Sequence, residues 1–162
     1  MRSTGPAGSR QAPTHAEAGA GRSPGTAADE RIVLFDGVCR LCAAWARFLA
    51  RFDRDRRFRL ARIQSEAGRR ILAGAGLPTD RFDTLVLAGP DGVRIRSDAV
   101  LAVLEDLPFP WPPLAALGRL LPAGFRDRLY DAVARSRYRV FGRAESCPLP
   151  TTDDAGRYLP DG

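Results

Sequence analysis

Lysine is missing altogether from the 162 residues, so all 25 basic side chains are arginine. Such complete avoidance points to coding bias rather than to a ligand that demands arginine. Histidine is nearly missing too: His15 stands alone, in a stretch too poor in large apolar residues to fold. With no imidazole in the folded part, Ser-His-Asp and Cys-His catalysis and most zinc enzymology are excluded. Nor is there a run approaching the roughly 20 apolar residues of a spanning helix, or an apolar signal core at the N-terminus. We therefore expect no transmembrane segment and a cytoplasmic location. Cysteine is scarce: there are three, and three cannot all pair within one chain. A reducing compartment disfavours permanent disulfides and leaves thiols for catalysis, redox sensing or metal. Cys147 is the odd one out, read as a loop or core thiol or as the seat of an intermolecular or regulatory disulfide.

What is present is a 44% hydrophobic chain with a formal net charge of +6. Residues 40 to 62 hold eight Arg against two Asp, and residues 119 to 143 hold seven Arg against two Asp. Clusters of this kind usually keep a helix wet, although they also attract anionic partners through general electrostatics. They point to no specific nucleic acid.

Residues 1 to 29 are mainly Gly, Ala, Ser, Thr, Pro and Arg, and cannot bury enough surface to offset the entropy of ordering. We expect a disordered tail there, one folded unit over 30 to 150, and a flexible tail over 151 to 162. "RIVLF" (31 to 35) reads as a strand buried on both faces, followed by a helix with Leu41, Trp45, Phe48, Leu49 and Phe52 at helical spacing. "RFRLARI" (57 to 63) suits a second strand, and Ser65 caps a helix that closes on Gly76 and Pro78. "TLVLA" (84 to 88) and "VRIR" (93 to 96) flank "GPDG" as a hairpin. A helix follows with Ser97 as N-cap and Asp98 in its first turn. A proline-punctuated connection around Trp111 leads to a long helix carrying Phe125, Leu129, Val133, Tyr138 and Phe141 on one stripe. Strands alternating with helices argue for an α/β fold, a sheet covered by helices.

"LFDGVCRLCAAW" (34 to 45) places Cys39 and Cys42 one helical turn apart, just where strand gives way to helix. At 100° per residue, Cys42 falls at the edge of the apolar stripe, whereas Cys39 falls off it beside Ala43, Ala46 and Ala50. On this reading Cys39 is the reachable sulfur and Cys42 the shielded one. The helix start and Arg40 favour thiolate at Cys39, and Cys42 is placed to close a disulfide. A zinc site lacks ligands, and two inert core thiols fit poorly with the position of Cys39, so a redox pair is the leading reading. Asp36-Gly37 is either a tight turn or, through Asp36, a proton carrier for Cys42.

"FDGVCRLC" resembles the signature of the DCC family of thiol-disulfide oxidoreductases, named for an Asp and two Cys that fall here on Asp36, Cys39 and Cys42. The likeness runs from about residue 31 to 150 through "IQSEAGRRIL", "DTLVL", "IRSDAVLAVL", "LPAGFRDRLYDAVARSRYRVFGR" and "CPLP". It implies a thioredoxin-like fold, a four-stranded mixed sheet flanked by helices with extra C-terminal helices. It also implies disulfide exchange with no bound cofactor, Cys39 attacking and Cys42 resolving. Thioredoxins carry a buried carboxylate where this chain has Val33, and a cis-proline facing the disulfide where it has Asp83-Thr84. Docking of substrate at Asp83 and Thr84 must therefore differ. "SDA" is similar in place to the glutathione-holding helix start of glutaredoxins, so Ser97 and Asp98 are candidates for binding a peptide backbone or a glutathione-like partner. The partner is a protein or small-molecule disulfide or thiol. The alternative is a non-enzymatic interaction module using the arginine-rich helices or the segment around Trp111.

Overall fold

β1 (Arg31–Phe35) is the apolar run read from the sequence, and its side chains alternate between two separate cores. Val33 and Phe35 point to one face with Phe58, Leu60, Leu85 and Leu87, whereas Ile32 and Leu34 point to the other with Ala61, Val86 and Ala88. Both faces being covered is why the strand has no polar alternation. A computed structural model provides these coordinates and describes residues 30–79, 84–143 and 156–159. The tail over 1 to 29, His15, Asp83 and Cys147 lie outside the described residues.

α1 (Arg40–Phe52) carries the chain from β1 to the parallel β2 (Phe58–Arg62). α2 (Glu66–Gly74) begins at Ser65, whose Oγ accepts from the Gly68 N–H at 3.0 Å as the sequence indicates. It closes on Gly76, which adopts a φ of +67° that disfavours side chains with a Cβ. β3 (Val86–Gly89) and β4 (Gly92–Ile95) form the expected hairpin, and the sheet order is β2-β1-β3-β4, with β3 antiparallel to both neighbours. α3 (Arg96–Asp106), α4 (Trp111–Arg119) and α5 (Ala123–Val140) complete the chain of elements. This is an α/β fold with a four-stranded mixed sheet and added C-terminal helices, consistent with a thioredoxin-like architecture. Among the described residues, no helix is long and apolar enough to cross a membrane.

Three expectations change. First, the face of α1 that meets the sheet is its small side, not its bulky side: Ala43, Ala46 and Leu49 are buried, while Trp45, Phe48 and Phe52 are only partly so. The aromatic side instead receives Trp111, whose ring meets Phe48 at 4.7 Å and Phe52 at 5.1 Å between centroids, edge to face. Trp111 is thus half-buried packing between α4 and α1 rather than a free contact for a partner. Second, the α5 stripe does not face the core. Phe125, Leu129, Val133 and Phe141 are exposed, and the buried residues of α5 are Asp127 and Arg137. Third, within the segment expected to be a flexible tail, residues 156–159 are docked. The Leu159 N–H donates to the Leu60 carbonyl at 2.9 Å, the Tyr158 ring meets Phe35 edge-on, and Arg157 is buried against Asp53 at 2.6 Å.

Candidate active site

Beyond Phe35 the chain turns through Asp36 and Gly37 into α1. The Asp36 carboxylate is buried, and both of its oxygens are taken. Oδ1 accepts from the Val38 N–H at 3.0 Å, closing a local turn, and from Gln64 Nε2 at 2.8 Å. Oδ2 accepts from Arg137 Nη2 at 3.0 Å and from the Tyr138 hydroxyl. Burial and the bond to this carboxylate push the Tyr138 hydroxyl up to about 12, so it stays a donor at neutral pH. Gly37 is a close-approach glycine: a Cβ there would lie 2.7 Å from Arg62 Cδ and 3.3 Å from Gln64 Oε1, which itself accepts the Gly37 N–H at 3.1 Å. Asp36 therefore fastens β1, the start of α2 and the end of α5 together around the cysteines. The turn reading of Asp36 is what these contacts display.

Cys39 is the N-cap of α1, with extended dihedrals of φ −97° and ψ 122°, and its carbonyl accepts the Ala43 N–H at 2.9 Å. Its exposure is 0%. Cys42, one turn on, is half-buried and forms part of the wall of a cavity of about 370 Å³. The expected order of access is thus reversed. Cys39 shares the alanine side of α1, and that side is the one packed on the sheet. Its main chain also pairs with Arg143, just after α5, in an isolated antiparallel bridge. Both sulfurs are free thiols. Burial, followed by the negative charge of Cys39 and a hydrogen bond to it, pushes the Cys42 thiol from its ordinary 9.0 up to about 12, with the Arg137 charge pulling the other way.

The structure separates the remaining candidates from the sulfurs to different degrees. Ser97 does not cap α3, whose N-cap is Ile95; its hydroxyl donates to Asp127 Oδ1 at 2.5 Å, although the residue lines the Cys42 cavity. Asp98 accepts from Arg119 at 3.0 Å and Arg126 at 3.2 Å. Each is thus engaged within the fold, Ser97 at the cavity wall and Asp98 through a carboxylate that stays partly exposed. Thr84 bonds the Tyr130 hydroxyl at 2.9 Å, next to the Leu85 N–H, which donates to the same oxygen at 2.7 Å. Asp83 falls outside the described residues. Val33, at the position of the thioredoxin carboxylate, is fully buried in the sheet core. The sequence does not single out Gln64, Arg137 or Tyr130, and marks Tyr138 only as part of an apolar stripe; the arginine-rich run around 137 carries nothing that separates one buried arginine from its solvated neighbours.

A mixed β2-β1-β3-β4 sheet with two thiols at the start of the helix after its first strand defines a thioredoxin-like protein of the C-x-x-C type. Residues 33–143 match the family model for DCC1-like thiol-disulfide oxidoreductases, and the chain belongs to that family. It is 42% identical over 118 residues to a chloroplastic DCC family protein of Arabidopsis thaliana, covering 73% of this chain and 69% of the relative. It is 38% identical over 130 residues to the uncharacterised protein YuxK of Bacillus subtilis, covering 80% of this chain and 94% of that protein. No solved structure matches the chain.

Proposed function

We propose that this protein exchanges disulfides through the Cys39–Cys42 pair, with Cys39 as the attacking thiolate and Cys42 as the resolving thiol. The observation that supports it is the placement of the two: Cys39 is the N-cap of α1, at the positive end of the helix, while Cys42, one turn on, is held as a thiol by burial and by its neighbour. Cys39 attacks one sulfur of the substrate disulfide, that S–S bond breaks, and the departing thiolate takes the Cys42 proton. Cys42 then attacks the Cys39 mixed disulfide and releases the second substrate thiol. An external thiol reductant resets the pair. Cys39 is enclosed, so the exchange requires local opening around the start of α1.

A second reading has the roles exchanged, and the greater exposure of Cys42 favours it. Trapping separates the two. Under the first, Cys42→Ser accumulates a mixed disulfide with a model disulfide; under the second, Cys39→Ser does. If neither variant is trapped and both thiols of the parent alkylate at the same rate near neutral pH, the enzymatic reading fails. The chain is then an interaction module presenting exposed Arg40, Arg47, Arg51 and Arg54, recognised by partner binding that weakens steeply with salt. The substrate class is a protein or small-molecule disulfide, and we place the protein in the cytosol, where its thiols stay reduced.

A further inference from the structure

The cavity beside Cys42 is lined by Leu41, Trp45, Val100, Leu121, Leu129 and Val133, contributed by α1, α3 and α5 and the turn between α4 and α5. Its surface is almost wholly apolar; Ser97 is engaged with Asp127, Arg126 with Asp98 and the Leu121 carbonyl, and the Tyr130 hydroxyl with Thr84 and the Leu85 N–H, while the buried Trp45 indole N–H has no partner among the described residues. A charged, hydrogen-bonding tripeptide such as glutathione would therefore lose water on entering an almost wholly apolar space that offers few replacement partners. The walls do not stop at the cavity mouth. Leu121, Leu129 and Val133 are 45%, 58% and 41% exposed, and Phe125 beside them is 55% exposed, so the apolar lining continues outward along α5. A small ligand fills the cavity but leaves that strip in water, whereas an extended chain covers both.

We infer that the occupant is a polypeptide segment whose cysteine is flanked by bulky apolar side chains, seated in the cavity with its sulfur beside the Cys39–Cys42 pair. This rests on the oxidoreductase reading and names the substrate class for it. The flanking side chains fill the space between α1, α3 and α5, and the segment runs out over Leu129 and Phe125. In the exchange the substrate S–S bond breaks to two thiols while the pair closes to a disulfide. Two electrons and the Cys42 proton pass from the pair to the peptide, and the second departing thiolate takes its proton from solvent.

The test uses the reduced full chain and three disulfides: a pentapeptide with leucine on either side of its cysteine, the same peptide with serine in those places, and glutathione disulfide. The expected result is reduction of the leucine peptide about tenfold or more faster than the serine peptide, the scale on which an apolar pocket discriminates by a few methylene groups. Leu129→Asn and Val133→Asn, both at exposed positions, should shrink that ratio, while Val140→Asn, exposed on α5 but outside the cavity lining, should leave it unchanged. A ratio near one, a preference for glutathione disulfide, or a ratio that both lining variants leave intact overturns the proposal while the oxidoreductase reading stands. Failure to reduce any of the three overturns that reading, and the proposal with it.

Discussion

Arg137, in the last turn of α5, donates to the Asp36 carboxylate at 3.0 Å across a sequence separation of 101, and both side chains are buried. One ion pair thus ties the end of the C-terminal helix to the residue that leads into the cysteine pair. Removing one partner of a buried pair leaves the other charge without compensation, at a cost of about 3–5 kcal/mol. Arg137→Ala is expected to fall near the lower figure, because Tyr138, Gln64 and the Val38 N–H still hold the carboxylate. Adding Asp36→Asn should recover part of the loss. Urea unfolding of the two single variants and the double variant checks this, and simple additivity would count against the coupling.

The second prediction concerns ionisation. Replacing Cys39 with serine removes a negative charge and a hydrogen bond that keep Cys42 protonated, so the Cys42 titration should fall from about 12 toward the value that burial alone sets. Alkylation rate against pH in Cys39→Ser measures it. A consequence for stability follows with a definite sign. Folded Cys42 holds its proton to a higher pH than the unfolded thiol does, so its contribution is complete below pH 9.0 and is lost as pH climbs toward about 12. Cys42→Ala should therefore lose less stability over that range than the parent. Tyr138 titrates near the same upper limit in both proteins and cancels in the comparison.

Gly68 supplies a third. A Cβ at this position would stand 2.1 Å from the carbonyl oxygen of Arg62, which is backbone and cannot swing aside. Gly68→Ala should push α2 off the end of β2 and destabilise by about 1–3 kcal/mol, the usual range for overpacking, despite the better helix propensity of alanine. Because Gln64 precedes this helix and bonds Asp36, the substitution should also alter cysteine alkylation. Thermal unfolding with and without the substitution tests the first part, and a neutral or stabilising result would show that the contact relaxes freely.

The fourth is at the far end of the chain. Arg157 donates to Asp53 Oδ2 at 2.6 Å and to the Asp53 carbonyl at 2.7 Å, while the same carboxylate caps the turn into β2 through the Arg57 and Phe58 N–H groups. Arg157→Ala strands a buried acid and should destabilise by roughly 3 kcal/mol or more. A melt indistinguishable from the parent would mean that residues 156–159 contribute little to the folded state.

The sheet was legible because its strands are short apolar runs between turn residues, and β1 was readable to the residue because both faces of Arg31–Phe35 are covered. The Ser65 cap and the Gly76 stop were readable because capping is local chemistry. Orientation of α1 was not. Bulk marks a stripe, yet it is Ala43 and Ala46 that approach the sheet, while Trp45, Phe48 and Phe52 are drawn toward Trp111, about sixty positions away. That misassigned side carried Cys39 with it, which is why the sulfur expected in solvent is enclosed. Arg137 and Arg157 were hidden for the same reason: only a partner distant in sequence distinguishes a buried arginine from a wet one.

The stretch that lays Tyr158 and Leu159 alongside Leu60 also gives the sheet a handed openness. On that flank the strand hydrogen-bonding sites next to Leu60 already have an occupant from the same molecule. Among the described residues the opposite border, β4 (Gly92–Ile95), carries no such added segment. An edge strand with its mid-point already bonded by its own chain is a poorer template for a second molecule than a bare one.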